Sequence, residues 1–218
     1  MIVVIAGMPR SGSTYTFNVA RELLQMSRRG VNQITTNDFN EAMIEATNQN
    51  LIIKSHFPDE TLLKLMSVGA VYCVCSYRSP EDAIASWMRT FDHPLEESIE
   101  TVKTWLQHYE KIKPYALTVS YSTIDELPLK AILQIAFHLK IRLSLKSYFN
   151  IWIKYRKKKL FHSLKTMPKD ENTQDMGFTY FNKDSYFHRR HINAIKSEKA
   201  SDLLSYEELN SIRQRLYK

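Results

Sequence analysis

The chain has 218 residues, 44% of them hydrophobic, and a formal net charge of +7. This size fills one substantial core, so we expect a single domain over residues 1–218. The first apolar run is too short for a signal peptide or a membrane span, and no histidine or cysteine has zinc-ligand spacing. We therefore expect a cytoplasmic protein without a membrane span or a metal site, whose charge favours an anionic partner.

Short apolar runs rich in β-branched residues alternate along the chain with longer segments of helical periodicity. The predicted strands are Ile2–Ala6, Leu51–Lys54, Ala70–Tyr77 and Ala116–Tyr121. Alternation of this kind predicts an α/β fold in which helices flank a parallel sheet. The two cysteines lie within one predicted strand, and we interpret them as buried free thiols.

The helix predictions depend on capping signals in front of amphipathic segments. Ser79 followed by Pro80 is a strong start signal with a hydroxyl cap, and Ser205 with Glu208 forms a capping box. The predicted helices cover residues 15 to about 28, 38 to about 48, 60–67, 80 onward, 95–113, 128–140 and 205–216. Residues 141–187 lack a clean periodicity and give no prediction of secondary structure.

Each predicted strand is followed at once by a polar cluster. The clusters are Gly7 to Thr14, Lys54 to Pro58, Tyr77 to Ser79, and Tyr121 with Ser122. Ligands of open α/β sheets bind beyond the carboxyl ends of the strands. Parallel strands would therefore bring the four clusters together at one edge of the sheet.

The first cluster is a glycine-bounded loop between a strand and a helix, which is the geometry that binds phosphate through backbone N–H groups. Gly7 and Gly12 have the spacing of the nucleotide triphosphatase loop, but Ser13 stands where its lysine belongs. The basic residue lies within the loop instead, as Arg10. An ordinary strand–helix turn is the alternative, and the combination of glycines, arginine and hydroxyls favours an anion site.

Three segments together resemble the sulfotransferases that use 3′-phosphoadenosine 5′-phosphosulfate (PAPS). Residues 9–14, Pro-Arg-Ser-Gly-Ser-Thr, look like the 5′-phosphosulfate loop of that family. Residues 54–58, Lys-Ser-His-Phe-Pro, are similar to its Lys-Thr/Ser-His-Leu-Pro segment. Residues 78–86 look like its 3′-phosphate motif, an arginine followed eight residues later by serine. The resemblance covers roughly the first 125 residues and implies the P-loop-like sulfotransferase fold.

The resemblance also implies an activity, the transfer of a sulfuryl group from PAPS to a hydroxyl or amine acceptor with release of 3′-phosphoadenosine 5′-phosphate (PAP). His56 would be the general base. Lys54 and Arg10 would stabilise the charge that develops on the leaving oxygen. The residues expected to bind the nucleotide are Arg10, Ser11, Gly12, Ser13, Thr14, Tyr15, Arg78, Ser86, Tyr121, Arg189 and Arg190.

These nucleotide-binding residues have different implied roles. The loop residues hold the 5′-phosphosulfate, Arg78 and Ser86 hold the 3′-phosphate, and Tyr15 and Tyr121 contact the adenine. An arginine fork with a hydroxyl suits a phosphate monoester.

The chain departs from the family pattern at two places. Arg189 and Arg190 lie in a stretch that looks like the segment closing over the 3′-phosphate, but His191 stands at the place of its glycine. Arg10 stands where the family often has lysine, and an arginine does not donate a proton to the leaving group.

Two other functions are alternatives: a small P-loop kinase, against which the missing lysine argues, and a non-catalytic module that binds PAP or a polyanion. The acceptor is expected to be a small molecule or carbohydrate, with no nucleic-acid partner. Residues 87–115 and 141–187 would build its pocket. The aromatic residues available there are Trp87, Phe91, Trp105 and Trp152. We interpret the basic run 154–159 as a solvated helix face, with attraction to a polyanion or a membrane as the alternative.

Overall fold

The computed structural model describes residues 1–27, 30–46, 49–175, 177, 179–192 and 197–217. The central sheet of these ranges is built from five parallel strands, β1 (Ile2–Ala6), β2 (Val31–Thr35), β3 (Asn50–Ser55), β4 (Tyr72–Tyr77) and β5 (Ala116–Ser120). Their order is β2-β3-β1-β4-β5, so β1 is central. Val4 of β1 pairs with Ile53 on one side and with Cys73 on the other.

Helices cover this sheet and follow its strands along the chain. Those within the described ranges are α1 (Ser13–Met26), α2 (Phe39–Ile44), α3 (Glu60–Ser67), α4 (Pro80–Phe91), α5 (Leu95–Ile112), α6 (Tyr121–Glu126), α7 (Pro128–His138), α8 (Leu145–Lys154), α9 (Lys157–Lys165) and α10 (Tyr206–Leu216). A short antiparallel pair, β6 (Thr173–Asp175) and β7 (Tyr180–Asn182), and a 3₁₀ turn at Ala200–Asp202 complete the fold. The predicted α/β fold with a parallel sheet flanked by helices is confirmed.

The sheet separates two apolar cores, because alternate residues of a strand point to opposite faces. Val3 and Ile5 enter the core that contains side chains of α1, α7 and α8. Val4 and Ala6 enter the core that contains side chains of α3, α4 and α5. Both cysteines are free thiols buried in the second core, as predicted.

The predicted helix signals act in different ways. Ser205 and Glu208 form the reciprocal capping box expected at the start of α10. Helix α4 begins at Pro80, but the Ser79 hydroxyl donates to the Glu81 carboxylate instead of capping the helix, so the predicted cap is wrong. The predicted helix ends near residues 28 and 48 fall outside the described residues. Within the described ranges, α1 ends at Met26 and α2 ends at Ile44.

Sequence patterns missed elements that are only partly buried. β2 is an edge strand in which no residue is fully buried, so it lacks the apolar run that marks the other strands. Region 141–187 contains α8, α9, β6 and β7, none of which its sequence pattern predicted. Tyr121 begins α6 instead of ending β5 because the Ser120 hydroxyl accepts from the Thr123 amide and caps a new helix, which corrects the predicted strand end.

Helix α7 also ends before the predicted position. Its last residue is His138, and Lys140 then adopts a left-handed backbone with φ 55°, which terminates a helix. None of the helices within the described ranges is both long enough and apolar enough to cross a membrane. The prediction of a single domain stays a prediction.

Candidate functional site

The loop after β1 lies where the central strands end. The Met8 amide donates to the Ser76 carbonyl of β4 at 2.9 Å, which holds the loop against the sheet. A Cβ at Gly7 would come within 2.2 Å of the Ser76 hydroxyl, so this close approach requires glycine. Gly12 has φ 87° and precedes α1, where a left-handed backbone again favours glycine.

The N-terminus of α1 faces the site without a side-chain cap or an acidic residue in its first turn. Its first amides therefore supply donors and partial positive charge for an anion. Ser13 lies at this end of the helix and lines the adjacent pocket together with Gly12. Thr14 is buried beside it.

Ser11 holds the loop in shape. Its hydroxyl lies 2.6 Å from the Met8 carbonyl and 2.7 Å from the Ser76 hydroxyl, and its side chain is fully buried. The hydroxyl therefore ties the loop to β4. The sequence could not separate this internal role from a ligand contact.

Arginines from two strand ends and one helix meet beyond the loop. Arg10 donates from Nε to the Ser86 hydroxyl at 3.2 Å, and Arg78 donates to the Arg10 carbonyl at 3.4 Å. Burial, and then the charges of Arg78 and Arg89, lower the pKa of Arg10 to about 10. Repelling cations held together by a fold favour an anion between them.

One N–H group of Arg78 is not used by the described part of the fold. Its Nε is buried without a hydrogen-bond partner among the described residues, and its guanidinium stacks on the Tyr121 ring at 4.3 Å. Arg89 follows Ser86 by three positions on α4 and lines the same pocket. Helical spacing could have identified Arg89, which the sequence analysis missed.

Lys54 and His56 enter the site from the end of β3. Lys54 is only 9% exposed, and burial lowers its pKa to about 8. The Nδ1 of His56 lies 2.6 Å from the Gly7 carbonyl, which can only accept, so Nδ1 carries the proton and Nε2 keeps its lone pair. Burial, and then the charge of Lys54, lower the pKa of His56 to about 3.

Two further histidines approach this centre from the C-terminal part of the chain. The His188 amide donates to Nδ1 of His191 at 3.3 Å, so a neutral His191 carries its proton on Nε2. Arg10 donates to the His191 carbonyl at 3.4 Å. Burial and the neighbouring charges of His188, Arg10, Lys54 and His56 hold the pKa of His191 well below its usual value.

The arginines predicted in the same segment point elsewhere. Arg189 donates to the Lys165 carbonyl at 2.9 Å, and Arg190 donates to the Thr90 carbonyl at 3.2 Å. Of the residues described in this segment, Phe187, His191 and Ile192 line the pocket beside Arg78, and the two arginines do not. The motif match predicted that Arg189 and Arg190 bind the nucleotide, whereas the structure brings His188 and His191 towards Arg10.

The pocket extends from the loop towards α6, α7 and α9, and its lining includes Tyr15, Tyr121 and Tyr155. Tyr15 donates to the Pro128 carbonyl at 3.3 Å and packs edge-on against Tyr155. Lys157 of α9 pairs with Asp125 at 2.7 Å and donates to Ser197 at 2.6 Å. The lining residues that the sequence analysis missed include Arg89, Asp125, Tyr155, Lys157 and Glu198.

The aromatic residues expected near the acceptor do not form one cluster, although Phe91 and Trp87 are in contact. Phe91 lies under the Arg10 guanidinium at 5.5 Å and also contacts Trp87 and His188. Trp105 is fully buried and stacks on Tyr109, so its expected place in an acceptor pocket is wrong. Of the four predicted aromatic residues, Phe91 therefore contacts Arg10 directly.

No group of three or more histidine, cysteine, aspartate or glutamate side chains that could hold a metal ion occurs within the ranges the structure describes.

None of the family models and none of the curated protein sequences matches this chain. Solved structures do. Mouse sulfotransferase SULT7A1 complexed with PAP matches with a TM-score of 0.72 and 11% identity over 98% of this chain and 82% of that one. Retinol dehydratase in a complex with retinol and PAP matches with a TM-score of 0.66 and 14% identity over 98% and 79%. Its complex with androsterone and inactive cofactor PAP matches with a TM-score of 0.64 and 14% identity over 98% of this chain and 79% of that one.

At this level of identity the similarity concerns the fold. The parallel sheet flanked by helices, which the alternation of strands and helices predicted, belongs to the architecture that these structures share with 98% of this chain. The chain therefore has the sulfotransferase fold.

Proposed function

We propose that the chain is a sulfotransferase that moves a sulfuryl group from PAPS to a hydroxyl-bearing acceptor. One observation carries the proposal: the amide end of α1, the Arg10–Arg78 pair and the Lys54–His56 pair converge at one edge of the sheet. Separate parts of the chain thus bring together an anion cradle and a neutral imidazole. The solved structures with the same fold contain PAP, which supports the choice of donor.

The nucleotide would bind by its two phosphate ends. Arg78 and Ser86 are proposed to hold the 3′-phosphate, and the buried, unpartnered Nε of Arg78 supports that role. The amides at Gly12, Ser13 and Thr14 would hold the 5′-phosphosulfate. Tyr15 and Tyr121 line the pocket in which the adenine would lie.

The chemistry requires a proton acceptor and a stabiliser of negative charge. Nε2 of His56 would take the proton of the acceptor hydroxyl as its oxygen bonds to sulfur. Lys54 and Arg10 would stabilise the bridging oxygen of PAP as its bond to sulfur breaks. The anionic donor would raise the pKa of His56 from its low value, because a neighbouring negative charge favours the imidazolium.

The test measures nucleotide recognition and transfer separately. Arg78→Ala should weaken PAP binding by about 30-fold or more, because it removes charge-assisted hydrogen bonds from the 3′-phosphate. The same change should weaken the binding of adenosine 5′-phosphosulfate, which lacks that phosphate, by less than about threefold. Calorimetry with both nucleotides checks this, and Arg142→Ala, an exposed arginine outside the pocket, is the control. Equal weakening of both nucleotides would remove Arg78 from the 3′-phosphate site.

Transfer itself is measured with labelled PAPS and a panel of phenols, aliphatic alcohols and carbohydrates. Label should appear in one acceptor class and should need no nucleoside triphosphate. Phosphate transfer from ATP would identify a kinase. Tight PAP binding with intact PAPS across the whole panel would identify a binding module.

A further inference from the structure

Positive charge is concentrated in one segment of the chain. Residues 127–169 contain eleven lysines and arginines and no aspartate or glutamate. Since the whole chain has 30 basic and 23 acidic side chains, the other 175 residues hold 19 basic and 23 acidic ones. The net charge of +7 therefore comes entirely from this segment, which includes α7, α8 and α9.

Part of this charge has an internal role, and part does not. Lys154 pairs with Glu22, and Lys157 pairs with Asp125. Lys169 pairs with Asp175. Eight other cations are exposed and form no ion pair within the part of the chain that the structure describes: Lys130, Lys140, Arg142, Lys146, Arg156, Lys158, Lys159 and Lys165. Stability of the fold accounts for the first group and leaves the second available to a partner.

Large apolar side chains are exposed among these cations. On α7, Leu133 is 43% exposed and Phe137 is 88% exposed. On α8, Leu145 is 75% exposed, and Phe149 and Ile153 are each 46% exposed. The α8 residues recur every four positions and so form one stripe along the helix.

The exposed apolar side chains lie on two helices that pack against each other. Helix α7 packs on α8, and Leu133 and Phe137 line one groove with Arg142 and Tyr148. We call the exposed side chains of α7, α8 and their connection the basic–apolar surface. It combines unpaired positive charge with apolar side chains that the fold leaves in water.

We propose that the basic–apolar surface binds a bilayer that contains anionic lipids. Lysine and arginine are attracted to anionic headgroups, and exposed aliphatic and aromatic side chains enter the boundary between headgroups and acyl chains. A soluble polyanion would use the same cations but would leave Phe137 and Leu145 in water, so the apolar stripes favour the bilayer.

This proposal does not depend on the proposed reaction. Lys157 and Leu160 of α9 line the nucleotide pocket, and α9 contacts α8. Binding through this surface would therefore hold the pocket close to the membrane.

Co-sedimentation with vesicles tests the proposal. The chain should bind vesicles of equal parts phosphatidylcholine and phosphatidylserine at least about tenfold better than phosphatidylcholine alone, and added salt should weaken the binding. Phe137→Ser or Leu145→Ser should reduce the binding by about threefold or more, because each removes an inserting side chain. Ile44→Ser is the matched control, since Ile44 is 81% exposed on α2.

Each outcome decides the question. A loss in either variant with an unchanged control supports the proposal and shows which helix enters the bilayer. Equal binding to both vesicle types, binding to neither, or unchanged binding in both variants overturns it. The proposal is also overturned, in favour of a polyanion site, if the chain binds soluble polyphosphate more tightly than the anionic vesicles and Phe137→Ser does not change the polyphosphate affinity.

Discussion

Two parts of the site are held in place differently. One part lies at the strand ends, and the other is the C-terminal segment, which consists of residues 187–192 with 197 and 198. Lys54 and Arg78 lie at the ends of paired central strands, and His56 is fixed by the Gly7 carbonyl. The C-terminal segment has no strand in this sheet. It reaches the site through single contacts, such as that of Arg10 with the His191 carbonyl.

The difference shows where precision and adaptability lie in the molecule. Groups that backbone pairing holds can be preorganised for charge stabilisation. The C-terminal segment instead places its own groups against the arginines that are proposed to bind the nucleotide. The Arg78 guanidinium donates to the Glu198 carbonyl at 3.0 Å, and Arg89 pairs with the Glu198 carboxylate. A bound nucleotide would have to exchange with these contacts.

The largest expected effect lies at the strand ends. His56→Ala should reduce transfer at least about 100-fold, because it removes the proton acceptor. PAP affinity should stay within about threefold, since a base does not hold the nucleotide. Turnover and calorimetry on the same sample check this.

His191→Ala tests the C-terminal segment and should reduce transfer by less than His56→Ala does. His162→Ala is the control, because His162 is an exposed histidine on α9. If PAP affinity falls in parallel with turnover in His56→Ala, the role of His56 is structural. A larger loss in His191→Ala would reverse the comparison.

A smaller effect is expected from the charge of Lys54. Its pKa is lowered to about 8, so the folded protein loses this charge as the pH rises through that value. PAP, an anion whose phosphates are already ionised there, should bind about tenfold more weakly at about pH 9 than at about pH 7. The pKa of Arg10, about 10, keeps that residue charged over this range.

Lys54→Arg separates this charge from other causes, because a guanidinium stays protonated over the same range. The variant should bind PAP with a nearly flat pH dependence when both proteins are titrated by calorimetry. An equal decline in the variant would assign the pH dependence to another group.

The smallest effect is expected in the C-terminal segment. Glu198→Gln removes the carboxylate that pairs with Arg89, so the arginines should bind PAP about two- to threefold more tightly. Glu207→Gln, an exposed glutamate on α10, is the control. Weaker PAP binding in Glu198→Gln would show that the segment supports the nucleotide site instead of competing for it.

Much of the fold could be predicted because its central elements have strong local signals. The strands β1, β3, β4 and β5 are short apolar runs, and Asp59 caps α3 by accepting from the Leu62 amide. The edge strand β2 and the amphipathic helices α8 and α9 are half exposed, so their patterns resemble those of loops.

The candidate site divides in the same way. Sequence identified Arg10, Lys54, His56 and Arg78 because each lies in a polar cluster at or just beyond the end of a predicted strand. It did not identify Arg89, Lys157 or Glu198, which come from helices and a distant segment. Their approach depends on how α4, α9 and the C-terminal part of the chain pack.

The sequence alone determined four strands of the sheet, the loop that begins at Gly7 and the charged groups at the strand ends, because periodicity, glycine and strand–loop boundaries are local properties of the chain. Only the tertiary structure decided that the Ser11 hydroxyl points inward, that His56 is protonated on Nδ1 and that Arg189 and Arg190 point away from the pocket. Those outcomes depend on partners that are distant in sequence and on burial, which no local pattern encodes.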